Sequence, residues 1–455
     1  MTIERITLFH SNDIHSCFDY WPNIVSHIKQ NRDKHTLYFD LGDHADRSHP
    51  LTEATVGKGN TTLLNDAGVD YATIGNNEGV TFTKEQLDSL YEDATFPVVV
   101  ANLFYPDGRR PSWANEIKIH TLDNGLKIGI IGLTAPFQIF YEQLGWMIAP
   151  PKDILKLLLP KVQKQADIIV LLSHLGLFQD EKIAEEFTGI DVIIGAHTHH
   201  VLPEGKRVKN TLLAQTGKHG VFLGKVIVDY DSNDKNVVKS EASLIDTKKE
   251  SADDNTYKLL KCLNTEANSI LAECVATIPR QMPVKWQETT EGVQLLCDAL
   301  TEWCEEDIGM MNAGVLLDSI EKGRITKGDI HRLCPHPINP CVVKVTGEQL
   351  QMTIERAFSD EMRNLELKGF GFRGKVLGRM IFTGIDIQFN EDQTIGHIHV
   401  LGNELEMNQV YSLATLDMYT FGHLLPAISA AKEKKYLMPE FLRDILAWKL
   451  KQMWP

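Results

Sequence analysis

Seven side chains suited to divalent cations stand just past the ends of apolar runs. Asp13 and His15 follow Ile3 to Phe9, Asp43 follows Thr36 to Leu41, and Asn76 follows Tyr71 to Ile74; His174 follows Ile168 to Leu172, and His197 and His199 follow Asp191 to Ile194. In an α/β sheet the loops beyond the strand carboxyl ends are where ligands bind, so these residues are expected to converge on one edge. Imidazoles, carboxylates and one amide oxygen suit Mn, Fe(II), Zn or a similar ion, and the lack of a cysteine among them argues against a structural zinc. The set is large enough for two ions that share a carboxylate. Each fragment alone, a D-x-H or an H-T-H, is commonplace in structural settings; their occurrence in order, each at a strand end, is what points to a metal centre.

The elements that must position these groups are short runs rich in Val, Ile and Leu, which continue at Pro97 to Ala101, Lys127 to Leu133 and Leu212 to Gln215. Between them lie amphipathic stretches such as Pro22 to Gln30 and Asp153 to Gln165 that read as helices. Residues 1–232 are therefore expected to form a layered α/β domain, with β-sheets flanked by helices. From 231 to 256 the chain turns to Asp, Asn, Lys and Ser, and then Leu259, Leu260, Leu263, Ala267, Ile270 and Leu271 recur at helical spacing. Residues 233–273 read as a polar connection and a linking helix. Residues 274–455 read as a smaller α/β domain, with helices at Thr290 to Trp303 and Gly347 to Phe358 and strands near Val342 to Val345, Arg379 to Phe382 and Tyr411 to Thr415.

Across 455 residues, 46 Lys and Arg stand against 61 Asp and Glu, a net charge of −15, with 43% hydrophobic and 24% charged residues. That is the composition of a soluble protein with ample core, and it excludes intrinsic disorder, collagen and a small disulfide scaffold. No window approaches the roughly 18 apolar residues of a membrane helix. The first residues lack a basic segment followed by a long apolar one, so a cytoplasmic location is expected. The seven cysteines form no C-x-x-C and read as reduced thiols. An acidic surface disfavours nucleic acid as a partner. An anionic substrate would have to be attracted by something other than net charge.

Here the sequence resembles the calcineurin-like metallophosphoesterases, and within them the 5′-nucleotidase family. Asp13-Ile14-His15 is similar to its D-x-H, Gly42-Asp43 to its G-D, Gly75-Asn76 to its G-N, Ser173-His174 to its S-H, and Gly195 to His199 to its G-x-H-x-H. Met311 to Gly314, Asp318 to Glu321 and Ile325 to Ile330 resemble the family's C-terminal nucleoside-binding domain. The resemblance implies that Asp13, His15, Asp43 and His199 hold one ion, and Asp43, Asn76, His174 and His197 a second, with Asp43 bridging. Two dications would neutralise phosphate oxygens and acidify a water between them, which answers the charge problem.

The sequence departs from the family at informative places. The family's G-N-H-E reads Gly75-Asn76-Asn77-Glu78, so Asn77 stands where a transition-state histidine is usual, and His44 and Arg47, in the loop after Asp43, are expected to supply a proton and a phosphate clamp. In the second domain Leu317 replaces the arginine of N-G-G-G-I-R, and His336 and Met418 replace two base-stacking rings. Substrate contacts are accordingly expected from Asn312, His336, Met418, Phe370, Phe372 and Phe421. The resulting expectation is hydrolysis of a phosphate ester of a nucleotide or nucleotide-like small molecule, as a 5′-nucleotidase or a 2′,3′-cyclic phosphodiesterase. The other reading is a metal-containing ligand-binding or sensor protein with little turnover.

Overall fold

The computed structural model describes residues 2–392 and 394–455, and the chain forms two compact units, one ending at Ala267 and one beginning at Asn268. The first unit is built on a seven-stranded and a six-stranded sheet. In the larger, Ile3–Ser11, Thr36–Asp40, Tyr71–Ala72 and Val98–Val99 run parallel; in the smaller, Lys127–Thr134, Ile168–His174, Val192–Gly195 and Thr211–Ala214 do so. Leu8, Phe39 and Val226 of the first sheet share one core with Ile130, Val170 and Ile194 of the second.

The strand Ile168–His174 shows why its sequence is an unbroken apolar run. Ile168, Val170 and Leu172 point into the core between the sheets, while Ile169 and Leu171 pack in a second cluster with Leu155, Leu158 and Leu159 of the helix Pro151–Val162. A parallel strand covered on both faces has no polar side to alternate with. Parallel strands also bring their carboxyl ends to one edge, and the loops carrying the metal-capable residues leave from there.

The polar stretch expected to be a connection is in part a strand. Asn236–Asp246 pairs antiparallel with Phe222–Asp231 at the edge of the seven-stranded sheet. Val237 and Ala242 pack against the core while Asn236, Lys239 and Glu241 face solvent. The charge that reads as a linker is that of an edge strand with one wet face. The helix expected after it runs from Asp254 to Leu271.

The second unit is α/β as expected. Its five-stranded sheet has the order Met380–Thr383, Gly309–Asn312, Val410–Leu416, Pro340–Thr346, Lys434–Tyr436. The helices Glu291–Trp303 and Leu442–Met453 pack together, with Trp303 and Trp448 edge to face at 5.2 Å. No cysteine is disulfide-bonded. No helix among the described residues is long and apolar enough to cross a membrane.

Candidate metal centre

The loops that carry the candidate ligands are laced together by backbone. Asp13 N–H donates to Gly42 O (3.1 Å), His15 N–H to Asp43 O (2.8 Å) and Ser16 N–H to His44 O (2.9 Å). The two glycine-led loops cross so closely that neither glycine could carry a side chain: a Cβ on Gly42 would lie 2.1 Å from Gly75 N, and one on Gly75 would lie 2.0 Å from Asp43 Oδ1 and 2.6 Å from His174 Cε1. Glu78 staples the crossing. Its Oε2 accepts from Asp43 N–H and Gly75 N–H and its Oε1 from Ala45 N–H, each at 2.9 Å. Asp13, His15, Asp43, His197 and His199 all have left-handed backbone, with φ of 51°, 50°, 50°, 74° and 56°. Such conformations cost non-glycine residues roughly 1–3 kcal/mol each and persist where the surroundings over-determine them, typically at functional sites.

The side chains converge. Asp13 Oδ1 lies 3.8 Å from His15 Nε2, 3.4 Å from His199 Nε2 and 3.9 Å from His174 Nε2. Asp43 Oδ2 lies 3.7 Å from His15 Nε2 and 3.5 Å from His174 Nε2. His15 and His199 face each other through Nε2 atoms 3.2 Å apart, and Asn76 Oδ1 is 2.8 Å from His197 Nδ1. Two overlapping groups result, Asp13 with His15 and His199, and Asp13 with Asp43 and His174. Two carboxylates, not Asp43 alone, therefore stand between the imidazoles.

This donor set fits divalent ions on its own chemistry. His174 Nε2 is buried without a hydrogen-bond partner among the described residues, and a pair of facing Nε2 atoms can share at most one proton. The ion pairs of buried Asp13 and Asp43 are, among the described residues, with histidines only. Burial pushes the Asp43 carboxyl up, yet His174 and His15 beside it hold it well below the usual carboxylate range. Burial works against a charge on His174, yet Asp43 and Asp13 raise it to about 10. His197 is pushed down to about 4, by burial first and by the charge of His174 second. A cation entering here displaces protons that the carboxylates otherwise hold on the imidazoles.

A second layer fixes the ligands. His174 Nδ1–H donates to Leu41 O (2.7 Å), which leaves Nε2 for a metal. His15 Nδ1 lies 3.4 Å from Asp46 Oδ2. Asn12 donates to Asp13 Oδ2 (2.7 Å) and Gly217 O (2.8 Å) and accepts from Thr216 Oγ1 (2.7 Å). Asn12, Asp46 and the stapling role of Glu78 escape the sequence reading. Glu78 and Asp46 carry a usable signal, being acids two or three residues from a ligand; Asn12 is next to a ligand, but Gly217 and Thr216, which hold it in place, lie more than 200 residues away.

The expected catalytic side chains are occupied otherwise. Asn77 is buried; its amide N–H donates to Ala45 O (3.0 Å) and lies 3.1 Å from His15 Nδ1, while its backbone N–H donates to Asp43 Oδ1 (2.7 Å). It braces the ligand loops. His44 is turned into the interior against Trp21, with ring centroids 4.7 Å apart, and burial pushes it down to about 3. A neutral imidazole holds its one N–H proton too tightly to act as a general acid, so the expectation for His44 is corrected. Arg47 forms a two-pronged pair with Glu53 (2.9 and 3.1 Å) and donates to Thr81 O (2.8 Å), so its guanidinium is engaged in holding its own loop rather than clamping phosphate.

In the second unit four expected substrate contacts, Asn312, His336, Phe372 and Met418, are corrected by burial. Met418 is wholly enclosed. His336 is too: its Nε2–H donates to Val315 O (3.0 Å), its Nδ1 accepts from Arg373 N–H (2.8 Å), and one face stacks on Phe372 at 5.1 Å. His336 and buried Phe372 thus anchor the loop 369–374, which carries Gly369, Gly371 and Gly374, instead of reaching solvent. Asn312 donates to Leu377 O (2.7 Å) and accepts from Tyr419 Oη (2.7 Å), and is likewise consumed. Phe370, 47% exposed, and half-buried Phe421 are not enclosed; their rings are nearly parallel, 12° apart in tilt, with centroids 6.4 Å apart, and Phe421 also stacks on Tyr436 at 6.2 Å. Gly422 keeps that neighbourhood open, since a Cβ there would come 3.3 Å from Phe370 Cζ.

Comparison with known proteins agrees with this architecture. Residues 6–201 match the calcineurin-like phosphoesterase family and residues 272–424 the 5′-nucleotidase C-terminal domain. The chain is 46% identical to the uncharacterized metallophosphoesterase YunD of Bacillus subtilis, over 99% of this chain and all of that protein. Its fold is similar to that of Haemophilus influenzae NAD nucleotidase (TM-score 0.70, 15% identity, covering 100% and 97% of the two chains). It is also similar to a putative 5′-nucleotidase from Staphylococcus aureus (TM-score 0.69, 20% identity, covering 98% and 96%). The chain belongs to the calcineurin-like metallophosphoesterases that carry a 5′-nucleotidase C-terminal domain, a family of phosphoric ester hydrolases that use divalent metal ions.

Proposed function

We propose that this protein hydrolyses a phosphate ester of a nucleotide or nucleotide-like small molecule with two divalent ions. Asp13, His15, Asp43 and His199 would hold one, and Asp43, Asn76, His174 and His197 the other. The observation that carries this reading is the convergence of buried carboxylates and imidazoles in which His174 Nε2 has no protein hydrogen-bond partner among the described residues. Ions held there supply positive charge to the phosphate and lower the pKa of water. The chain's own part is to hold the ligands: Leu41 O and Asp46 orient His174 and His15, Asn12 fixes Asp13, and Glu78 keeps the two glycine loops in register. Hydrolysis of a 5′-monoester frees inorganic phosphate, whereas hydrolysis of a 2′,3′-cyclic diester opens the ring and leaves the phosphate on the ribose; both need water delivered to a phosphorus between cations, and the ligand set serves either.

The nucleoside end is assigned to Phe370 and Phe421. Fold relatives named as a NAD nucleotidase and a 5′-nucleotidase support the substrate class, and two nearly parallel rings suit a flat base. Stacking is worth about 1–3 kcal/mol per base and tolerates every base, so weak discrimination among nucleotides is expected. With Mn²⁺-loaded protein, Phe370→Ala or Phe421→Ala should raise KM for a nucleotide about 10-fold while leaving hydrolysis of a small aryl phosphate nearly unchanged. Equal losses on both substrates would contradict the assignment.

A further inference from the structure

One imidazole beside the metal centre belongs to neither of the two proposed ligand sets. His219 lies in the loop after the strand Thr211–Ala214, and its backbone N–H donates to Asp13 O at 2.8 Å, which pins that loop to the first ligand loop. Its ring meets His15 edge to face, with centroids 6.0 Å apart and planes at 84°; His15 meets His199 the same way at 5.3 Å and 88°. The three rings form a row that ends on His219. The residue is half-buried and held in left-handed backbone, φ 63°, although it is not a glycine. Among the described residues neither ring nitrogen has a hydrogen-bond partner, whereas His174 is anchored by Leu41 O and His197 faces Asn76.

The groups that sequence reasoning assigned to the phosphate are engaged elsewhere. Asn77 donates to Ala45 O, His44 packs on Trp21, and Arg47 pairs with Glu53. A strained, half-open imidazole without a protein partner, beside the His15–His199 pair, is placed for a ligand that is not protein. Building on the phosphoesterase reading above, we infer that His219 is a substrate-contacting residue whose ring N–H donates a hydrogen bond to an oxygen of the phosphate group. It takes the phosphate-holding place left by Asn77, from a different loop.

The test uses full-length Mn²⁺-loaded wild type, H219A, H219N and H219Q, with inorganic phosphate as the probe in calorimetric titration and metal content measured in parallel. Hydrogen bonds to charged groups are worth enough that H219A should bind phosphate about 10- to 100-fold more weakly, with metal content and thermal midpoint unchanged. Of the two amide variants, Asn also tolerates left-handed backbone, and at least one should recover most of the affinity. Unchanged phosphate affinity in H219A, loss of metal from it, or recovery by neither amide would each overturn the inference. Wild type that holds its metal but binds no phosphate would overturn the phosphoesterase reading itself, and this inference with it; wild type that binds phosphate as tightly as H219A does sinks only the role of His219.

Discussion

Asp46 supplies the carboxylate that faces His15 Nδ1 from outside the ligand set. A carboxylate near the far nitrogen of a metal-binding imidazole fixes its tautomer and orientation, and losing such a partner typically costs about 10- to 100-fold in metal affinity. With Asp46 Oδ2 3.4 Å from His15 Nδ1, Asp46→Asn is expected to weaken Mn²⁺ binding by that factor in a direct titration; affinity equal to wild type would place Asp46 outside the centre's support. The ligands themselves are legible in the sequence because each sits where a parallel strand must deliver it. The supporting cast is not, and His44 shows why. It neighbours Asp43 in sequence, but the left-handed turn at Asp43, φ 50°, sends the next side chain into the interior toward Trp21. His336 and Met418 fail for a related reason: a motif position gives the place in the chain, while exposure depends on packing partners such as Phe372 that lie dozens of residues away.

At the scale of elements, the crossing of the two glycine loops is the most exacting feature. Gly75→Ala would set a methyl 2.0 Å from Asp43 Oδ1 and 2.4 Å from Asp43 N. The backbone nitrogen is fixed by Glu78 and cannot retreat. Overpacking of this kind costs about 1–3 kcal/mol, so denaturant unfolding should show that loss together with reduced metal content; a stable, metal-replete variant would mean the crossing is looser than it stands. A second element-level test concerns Asp417, at the end of the strand Val410–Leu416, whose carboxyl burial pushes up from 3.8 to about 7. The folded protein keeps that proton where the unfolded chain has lost it, so the stability it contributes is present below pH 3.8 and is lost as pH rises through about 7. Asp417→Asn cannot ionise, and its thermal midpoint relative to wild type should be higher at about pH 8 than at about pH 5. A difference independent of pH would refute the buried proton. The same scale explains the misread linker: the period-two pattern of Asn236–Asp246 is diluted by Lys, Glu and Ser on its wet face, and an edge strand of that kind looks like a loop until its partner is known.

For the molecule as a whole, an acidic chain of net charge −15 gathers Asp13, Asp43, Asp40 and Glu78 in one buried region. Cations bound among these carboxylates would stabilise the folded state. Saturating metal stabilises by the linkage between binding and folding, about 2.7 kcal/mol at 100 times Kd, so Mn²⁺ should raise the unfolding midpoint and a chelator should lower it; indifference to both would contradict a metal-supported first unit. We propose that this cluster, loaded with metal, turns over a phosphate ester of a nucleotide. The most direct measurement is hydrolysis by Mn²⁺-loaded wild type beside Asp43→Asn, followed as inorganic phosphate released from nucleoside monophosphates and an aryl phosphate and as ring opening of 2′,3′-cyclic nucleotides to nucleoside monophosphates. Metal-dependent hydrolysis of at least one nucleotide class is expected, abolished in Asp43→Asn along with metal binding. A wild-type protein that holds its metal and hydrolyses none of these compounds would contradict it, and would mark the protein as one that binds its ligand without turning it over.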